Sequence, residues 1–335
     1  MGERDLTRLG AQAAADQRRG RAGRLAPGTC YRLWTEAEQH QLPAHRPPEI
    51  HTADLSGLTL ELALWGAQEP GALRWIDAPP APAVSQAREL LLRLGALSGY
   101  EGKRVGGYEG SAGDAGTSTH ATLSPPTLPP SYPPTLQPTS HGRQLAKLGL
   151  PPRLGHLVVR GQELGHGPAA AALAALLAER DLLRWATPND PRPTPPDLRL
   201  RLEALASGRA PLPGLALHHA TLQRVRDVAK HLQGRLPNAT KLAASSSLHH
   251  LLTSSPIGLL TALAYPDRIA QRETDTRLRL VTGQRVELKT EDVDPQASYF
   301  AVAHLAGQAS TPRATLAAPL SKEELETAFA EQLTT

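Results

Sequence analysis

A mixed α+β, multidomain architecture is predicted, and three observations predict it. Apolar residues recur at helical spacing through most of the chain; past Pro266 the period changes to the alternation of strands; and two stretches poor in apolar residues separate the periodic segments. The 335 residues suffice for two or three domains of ordinary size, and 40% hydrophobic with 20% charged residues is the balance of a chain that folds. In order the chain reads as a basic fragment, a small mixed domain, a helical bundle and a small β domain, with no internal repeat.

Met1 to Arg24 is short, polar and arginine-rich, with too few apolar residues for a core of its own. Pro27-Gly28 then turns the chain into a predicted short strand, Cys30-Tyr31-Arg32-Leu33, on which Cys30 is expected as a buried apolar filler. Asp54 is placed to cap a helix carrying Leu55, Leu58, Leu62 and Trp65 on one face. Past Pro79, Pro80 and Pro82, the residues Ala87, Leu90, Leu91 and Leu94 form an apolar stripe closed by Gly95.

Tyr100 to Ser140 is rich in Gly, Ser, Thr and Pro and buries too little apolar surface to offset its chain entropy, so disorder is expected over 100–140. Its proline pairs fit either a tolerated insertion or a ligand for an aromatic groove. Helices return with Pro168 opening Ala169 to Leu183, Asp197 capping Leu198, Leu202 and Leu205, and Leu222, Val225, Ala229 and Leu232 marking a third. A loose stretch, 234–255, precedes a short apolar helix from Ile257 to Ala264. Strands are expected at Arg277 to Leu280, around Val286 and Leu288, from Tyr299 to Leu305 and from Thr315 to Leu320. Ser321 and Glu324 make a capping box for a last helix with Leu325 and Phe329.

Charge leaves partners open. The formal net charge is +4 and the pI about 9.4, with arginine several-fold more frequent than lysine. Arginine suits phosphate contacts, and a GC-rich coding bias accounts for the same excess. One cysteine excludes an internal disulfide and fits a reducing cytoplasm. No apolar run is long enough to span a bilayer, so no membrane is expected. His218-His219 and His249-His250 point apart on a helix and make no metal site, and Ser245-Ser246-Ser247 lacks the setting of a nucleophile.

The string Gln17-Arg18-Arg19-Gly20-Arg21-Ala22-Gly23-Arg24 carries the chemistry. Its glycines let backbone pass close to a phosphate, and Arg21 and Arg24, three apart, are expected on one helical face. Arginine aimed at a γ-phosphate stabilises charge that develops in phosphoryl transfer. The other reading of the string is a solvated basic turn. This string resembles motif VI of DEAH-type superfamily 2 helicases, and Leu25 to Trp34 resembles the segment next to that motif in HrpB-like helicases. Leu42 to Ile50 and Ala87 to Leu91 resemble the family's winged-helix region. Gly142-Arg143, Leu150 to Leu154, Ala175 to Asp181 and Leu200 to Leu205 resemble its helical domain. Ala264 to Ala270 and Leu316 to Leu320 resemble its last part.

The resemblance implies a remnant of a RecA-like lobe at 1–30, a winged helix at 31–150, a ratchet-like helical bundle at 151–264 and an OB-like domain at 265–335. It implies Arg21 and Arg24 as arginine fingers, and Gln17 with Gly20 and Gly23 at the nucleotide. Arg226 and Lys230, from the helical bundle, would meet the phosphates of single-stranded RNA or DNA. ATP and Mg would serve the full enzyme. Neither a Gly-rich loop ending Gly-Lys-Ser/Thr nor an Asp-Glu-x-His string occurs, so the missing lobes must come in cis or in trans, and the chain alone is expected to lack ATPase activity. The alternatives are a non-catalytic nucleic-acid- or partner-binding protein made of accessory domains, and a degenerate product that folds poorly.

Overall fold

The computed structural model describes residues 10–67, 69–100, 135–187, 190, 192–235, 256–289, 292–307 and 311–329. They fall into two compact units, one of residues 1–55 and 69–87, the other of 56–68 and 88–335.

The first unit holds α1 (Gln12–Ala22) and α2 (Glu36–Gln41). Gln12 fastens α1 to the end of α2: its Nε2 donates to the carbonyls of Leu42 at 2.8 Å and Gln39 at 3.2 Å. Thr35 and Glu38 form a reciprocal capping box on α2. Cys30 to Leu33 is not a strand. A strand needs a ladder, and among the described residues no segment pairs with this one. Cys30 is accordingly exposed rather than a core filler, and Tyr31 and Leu33 are 82% and 87% exposed.

In the second unit α3 (Ser56–Trp65) buries Thr59, Leu60 and Leu62, while Trp65 is exposed. Ten residues of roughly 100° each carry Trp65 about 80° away from the Leu55 position, off the buried face. α4 (Ala81–Arg93) begins in the first unit and ends in the second; Ala87, Leu90, Leu91 and Leu94 are buried as expected, and Gly95 takes φ +65°. β1 (Leu97–Tyr100) pairs antiparallel with β2 (Thr135–Pro138), with Tyr100 opposite Thr135. The expected disorder of 100–140 therefore stops short of 135–140, which is strand and cap; the remainder, 101–134, lies outside the described residues, as do 236–255 with Ser245 to Ser247, His249 and His250. α5 (Ser140–Leu148) comes next, capped by Thr139, and its Gly142 lies so close to the Ala96 carbonyl that a Cβ would collide with it.

α6 (Pro152–Glu163), α7 (Gly167–Ala178), α8 (Leu198–Ser207) and α9 (His219–Arg235) make the main core. Every residue from Ala169 to Leu176 is buried, because α7 runs between α6 and α9. α7 ends before Leu183, which instead enters β3 (Leu183–Trp185), paired antiparallel with β4 (Leu215–Leu217). Leu222, Val225, Ala229 and Leu232 give α9 its buried face, and the helix reaches Arg235, so 234–235 is not loose. α10 (Ile257–Ala264) is buried on nearly all sides, packed on α6 and against the last sheet.

That sheet is a closed five-stranded barrel in the order β5 (Ile269–Thr274), β6 (Arg277–Leu280), β7 (Arg285–Glu287), β9 (Arg313–Leu320) and β8 (Tyr299–Ala306). Leu278, Leu280, Val286, Phe300, Val302 and Ala317 fill it. β6 alternates as its sequence requires, Arg277 and Arg279 out, Leu278 and Leu280 in. α11 (Lys322–Phe329) starts at the expected capping box, with Glu324 Oε2 accepting from Ser321 N at 2.8 Å. The whole is mixed α+β.

Candidate nucleotide and nucleic-acid sites

The basic string opens on the last two turns of α1. Gln17, Gly20 and Arg21 belong to the helix, Gly23 is its C-cap with φ −104°, and Arg24 lies beyond it. Arg21 and Arg24 therefore do not share a helical face: the three-residue spacing straddles the helix end. Arg19 and Arg21 suit the last turn, where exposed carbonyls carry partial negative charge. Arg32, folded back at 2.6 Å from Asp16 Oδ1, ties the coil after α1 to that helix. Gln17 to Arg24 is exposed throughout, and neither Arg21 nor Arg24 forms an ion pair among the described residues. Gly20 and Gly23 would meet nothing within 4 Å if given a Cβ. Gly28 differs, because a Cβ there would strike the Ala22 carbonyl.

On α9 the two expected phosphate contacts part company. Arg226 donates from Nε and Nη2 to the Leu205 carbonyl, at 3.1 and 2.7 Å, and so satisfies the end of α8 just before Gly208 turns the chain at φ +71°. Lys230 is exposed. Arg224, unnoticed in the sequence, pairs with Glu179 at 3.2 Å. His218 stands before α9 as a cap, its Nδ1 accepting from Thr221 N.

Two ion-pair clamps join segments that the sequence showed only as separate strings. Arg201, 1% exposed, donates to Asp181 Oδ2 at 2.6 Å, Thr194 Oγ1 at 3.1 Å and the carbonyls of Asp197 and Pro195. Arg153 holds Asp267 through both oxygens, at 2.5 and 3.0 Å, and its guanidinium lies 5.2 Å from the Tyr265 ring centre. That pairing holds the Asp267 carboxyl below its ordinary value against the opposing effect of burial. These residues set architecture. The signal in the sequence was an Arg in one matching string and an Asp in another, without anything to say which met which.

A cleft of about 380 Å³ is lined by Arg93, Gly95, His141, His156, Arg160 and Phe329, among others. In it His141 Nε2 lies 2.8 Å from His156 Nδ1, the rings edge to face. Burial first, then His141 and Arg160, push the His156 imidazole down to about 3, so it is neutral; burial lowers His141 too. Among the described residues no group of three or more His, Cys, Asp or Glu could hold a metal ion, and no helix is long and apolar enough to cross a membrane.

Comparison with known proteins gives the family. No family model matches the chain. ATP-dependent RNA helicase HrpB of Escherichia coli (strain K12) is 30% identical over 288 residues, 86% of this chain and 27% of the relative. The crystal structure of the E. coli DExH-box NTPase HrpB superposes with a TM-score of 0.57 at 27% identity, covering 96% of this chain and 31% of that one. This is a HrpB-like chain of the DEAH helicase type. A shorter match, 41% over 86 residues and 26% of this chain, links it to the probable ATP-dependent RNA helicase DHX35 of Homo sapiens, of which it covers 12%. The chain thus spans under a third of the relatives that it matches, and corresponds to the HrpB-like portion from motif VI onward.

Proposed function

We propose that this chain is the carboxy-terminal part of an ATP-dependent RNA or DNA helicase that couples ATP hydrolysis to movement along a single strand. One observation carries the reading. Gly20 and Gly23 flank Arg21 in full solvent, and no contact within the described residues requires either glycine. Gly20, within α1, costs that helix about 1 kcal/mol relative to alanine, whereas Gly23 sits at its C-cap; close approach of a partner would account for keeping Gly20. A nucleotide phosphate held by other lobes fits, with Arg21 and Arg24 as its charge-stabilising donors and Gln17 beside them. These residues suit contacts to the outer phosphates of ATP, while the ATP-cradling loop and the acidic Mg site would come from the missing lobes. ATP, with Mg, supplies the phosphoryl group whose transfer drives the movement. The exposed Leu25, Tyr31 and Leu33 are the apolar surface such a lobe would cover.

In this reading 1–30 closes a RecA-like lobe, 31–150 is a winged helix with an insertion, 151–264 a ratchet-like bundle and 265–335 an OB-like barrel, in a reducing cytoplasm. The five-stranded closed barrel supports the last assignment. Lys230 stays available to a strand, whereas Arg226 serves mainly the end of α8.

The test is a fusion of this chain to the preceding segment of E. coli HrpB, assayed beside the chain alone. The chain alone should show no ATPase, and the fusion should show activity that Arg21→Ala lowers about 10³- to 10⁵-fold. Turnover by the chain alone that Arg21→Ala abolishes, or a fusion indifferent to Arg21, would overturn the proposal.

A further inference from the structure

His141 and His156 meet in the cleft where α4 ends, α5 begins and α6 passes. His141 stands in the first turn of α5 and His156 in α6, both half-buried. His141 Nε2 lies 2.8 Å from His156 Nδ1. The second ring nitrogen of His156 donates to the carbonyl of Leu94, just past α4. The neutral His156 ring therefore keeps its hydrogen on Nε2 and presents a lone pair at Nδ1. A backbone carbonyl that holds the far N–H is the arrangement that orients imidazoles bound to metal ions.

Separation, charge and room suit such an ion. Two nitrogens at about 2.0–2.1 Å from one ion, and at about 90–109° to each other, lie about 2.8–3.4 Å apart. Ligation needs neutral imidazole, and burial lowers the proton affinity of both rings. The charged groups that line the cleft are Arg93 from the end of α4 and Arg160 and Glu163 from α6, while α10 and α11 present Leu263, Ala328 and Phe329. Each cation is already paired, Arg160 with Glu163 and Arg93 with Glu89, both at 2.5 Å. The space of about 380 Å³ lets the rings turn their lone pairs off the line that joins them, and accepts water beside the ion.

We propose that His141 Nε2 and His156 Nδ1 together bind one divalent copper, nickel or zinc ion, with water in the remaining positions. On binding, the hydrogen of His141 passes from Nε2 to Nδ1, so the ring stays neutral and no proton is released. The ion replaces the hydrogen bond between the rings and links α5 to α6. Among the described residues no group of three or more such ligands converges, so the ion is held less tightly than in a centre with three or four protein ligands. The site depends neither on ATP nor on the helicase reading.

Titration of the full chain with Cu²⁺ at about pH 5.5, followed by electron paramagnetic resonance, tests the site. An ordinary imidazole is about nine-tenths protonated there, so surface histidines compete little. The parent chain should take up one equivalent, with coupling to two nitrogens, and Cu²⁺ should raise its unfolding midpoint. His156→Gln and His141→Gln should each abolish that equivalent and the shift in midpoint, whereas His51→Gln, at an exposed histidine of the first unit, should change neither. Unfolding midpoints without Cu²⁺ identify a variant that has misfolded, and the other variant then decides. No uptake by the parent chain, uptake that survives both substitutions, or coupling to a single nitrogen overturns the proposal.

Discussion

Between Gln17 and Leu33 no residue is buried, whereas in α7 every residue from Ala169 to Leu176 is. The first region carries the string read as chemical, and its shape rests on a few anchors: Gln12 on α2, Arg32 on Asp16, Gly28 against Ala22. The second carries no candidate chemistry and is held from all sides. The difference teaches where each kind of information is stored. Residues without packing partners in the chain obtain little stability from it, while the residues of a packed helix are explained by their neighbours.

That contrast can be broken by substitution. The largest effect should come from the buried clamp: Asp181→Ala leaves the Arg201 guanidinium buried without its carboxylate and should cost about 3–5 kcal/mol in chemical denaturation. Loss of under about 1 kcal/mol would mean that Thr194 and the carbonyls suffice for Arg201. Arg153→Ala, at a partly exposed pair, should cost about 1.5–3 kcal/mol and loosen α6 from the segment around Asp267; hydrogen exchange at Ala264 to Arg268 reads this directly.

A smaller effect is set by pH. His156 is held neutral in the fold, with its proton affinity lowered from 6.5 to about 3, so below about pH 6.5 the unfolded chain binds a proton that the folded chain refuses. Its contribution is complete above the unfolded value and is lost as pH falls toward the folded one. Going from about pH 6.5 to roughly pH 5.5 should therefore remove about 1 kcal/mol, and His141, lowered likewise, acts in the same direction. His156→Gln should flatten this dependence; an equally steep profile in the variant would assign it elsewhere. The smallest effect belongs to the exposed string: Arg21→Ala should shift stability by no more than about 0.5 kcal/mol, and a larger loss would show that Arg21 supports the fold.

Legibility in the sequence divides along the same line. Periodicity located α3, α4 and α7 to α11 and the outward arginines of β6, because the helical and strand periods are local properties of the chain, but it did not single out α5 or α6. Caps at Asp197 and Ser321 were readable for the same reason. Pairings were not: β3 with β4, Arg153 with Asp267 and Arg201 with Asp181 join residues distant in sequence, and nothing in their spacing names the partner. The strand expected at Cys30 to Leu33 failed because a strand is a relation between two segments, and the described residues supply only one. Arg226 was legible as an exposed cation by position on α9, yet the carbonyl it satisfies belongs to another helix.

The short ladder of β1 and β2 has a consequence for the length of the chain. Because Tyr100 and Thr135 face each other, the backbone departs and returns at a single rung, and the residues between are bounded by a fixed gate. For a flexible stretch the entropy of closing that gate grows only with the logarithm of its length, about 0.6 kcal/mol for each doubling. By that scaling a flexible insert placed between Tyr100 and Thr135 costs the rest of the fold little whatever its length, and the rung is a natural point at which to splice in a reporter domain.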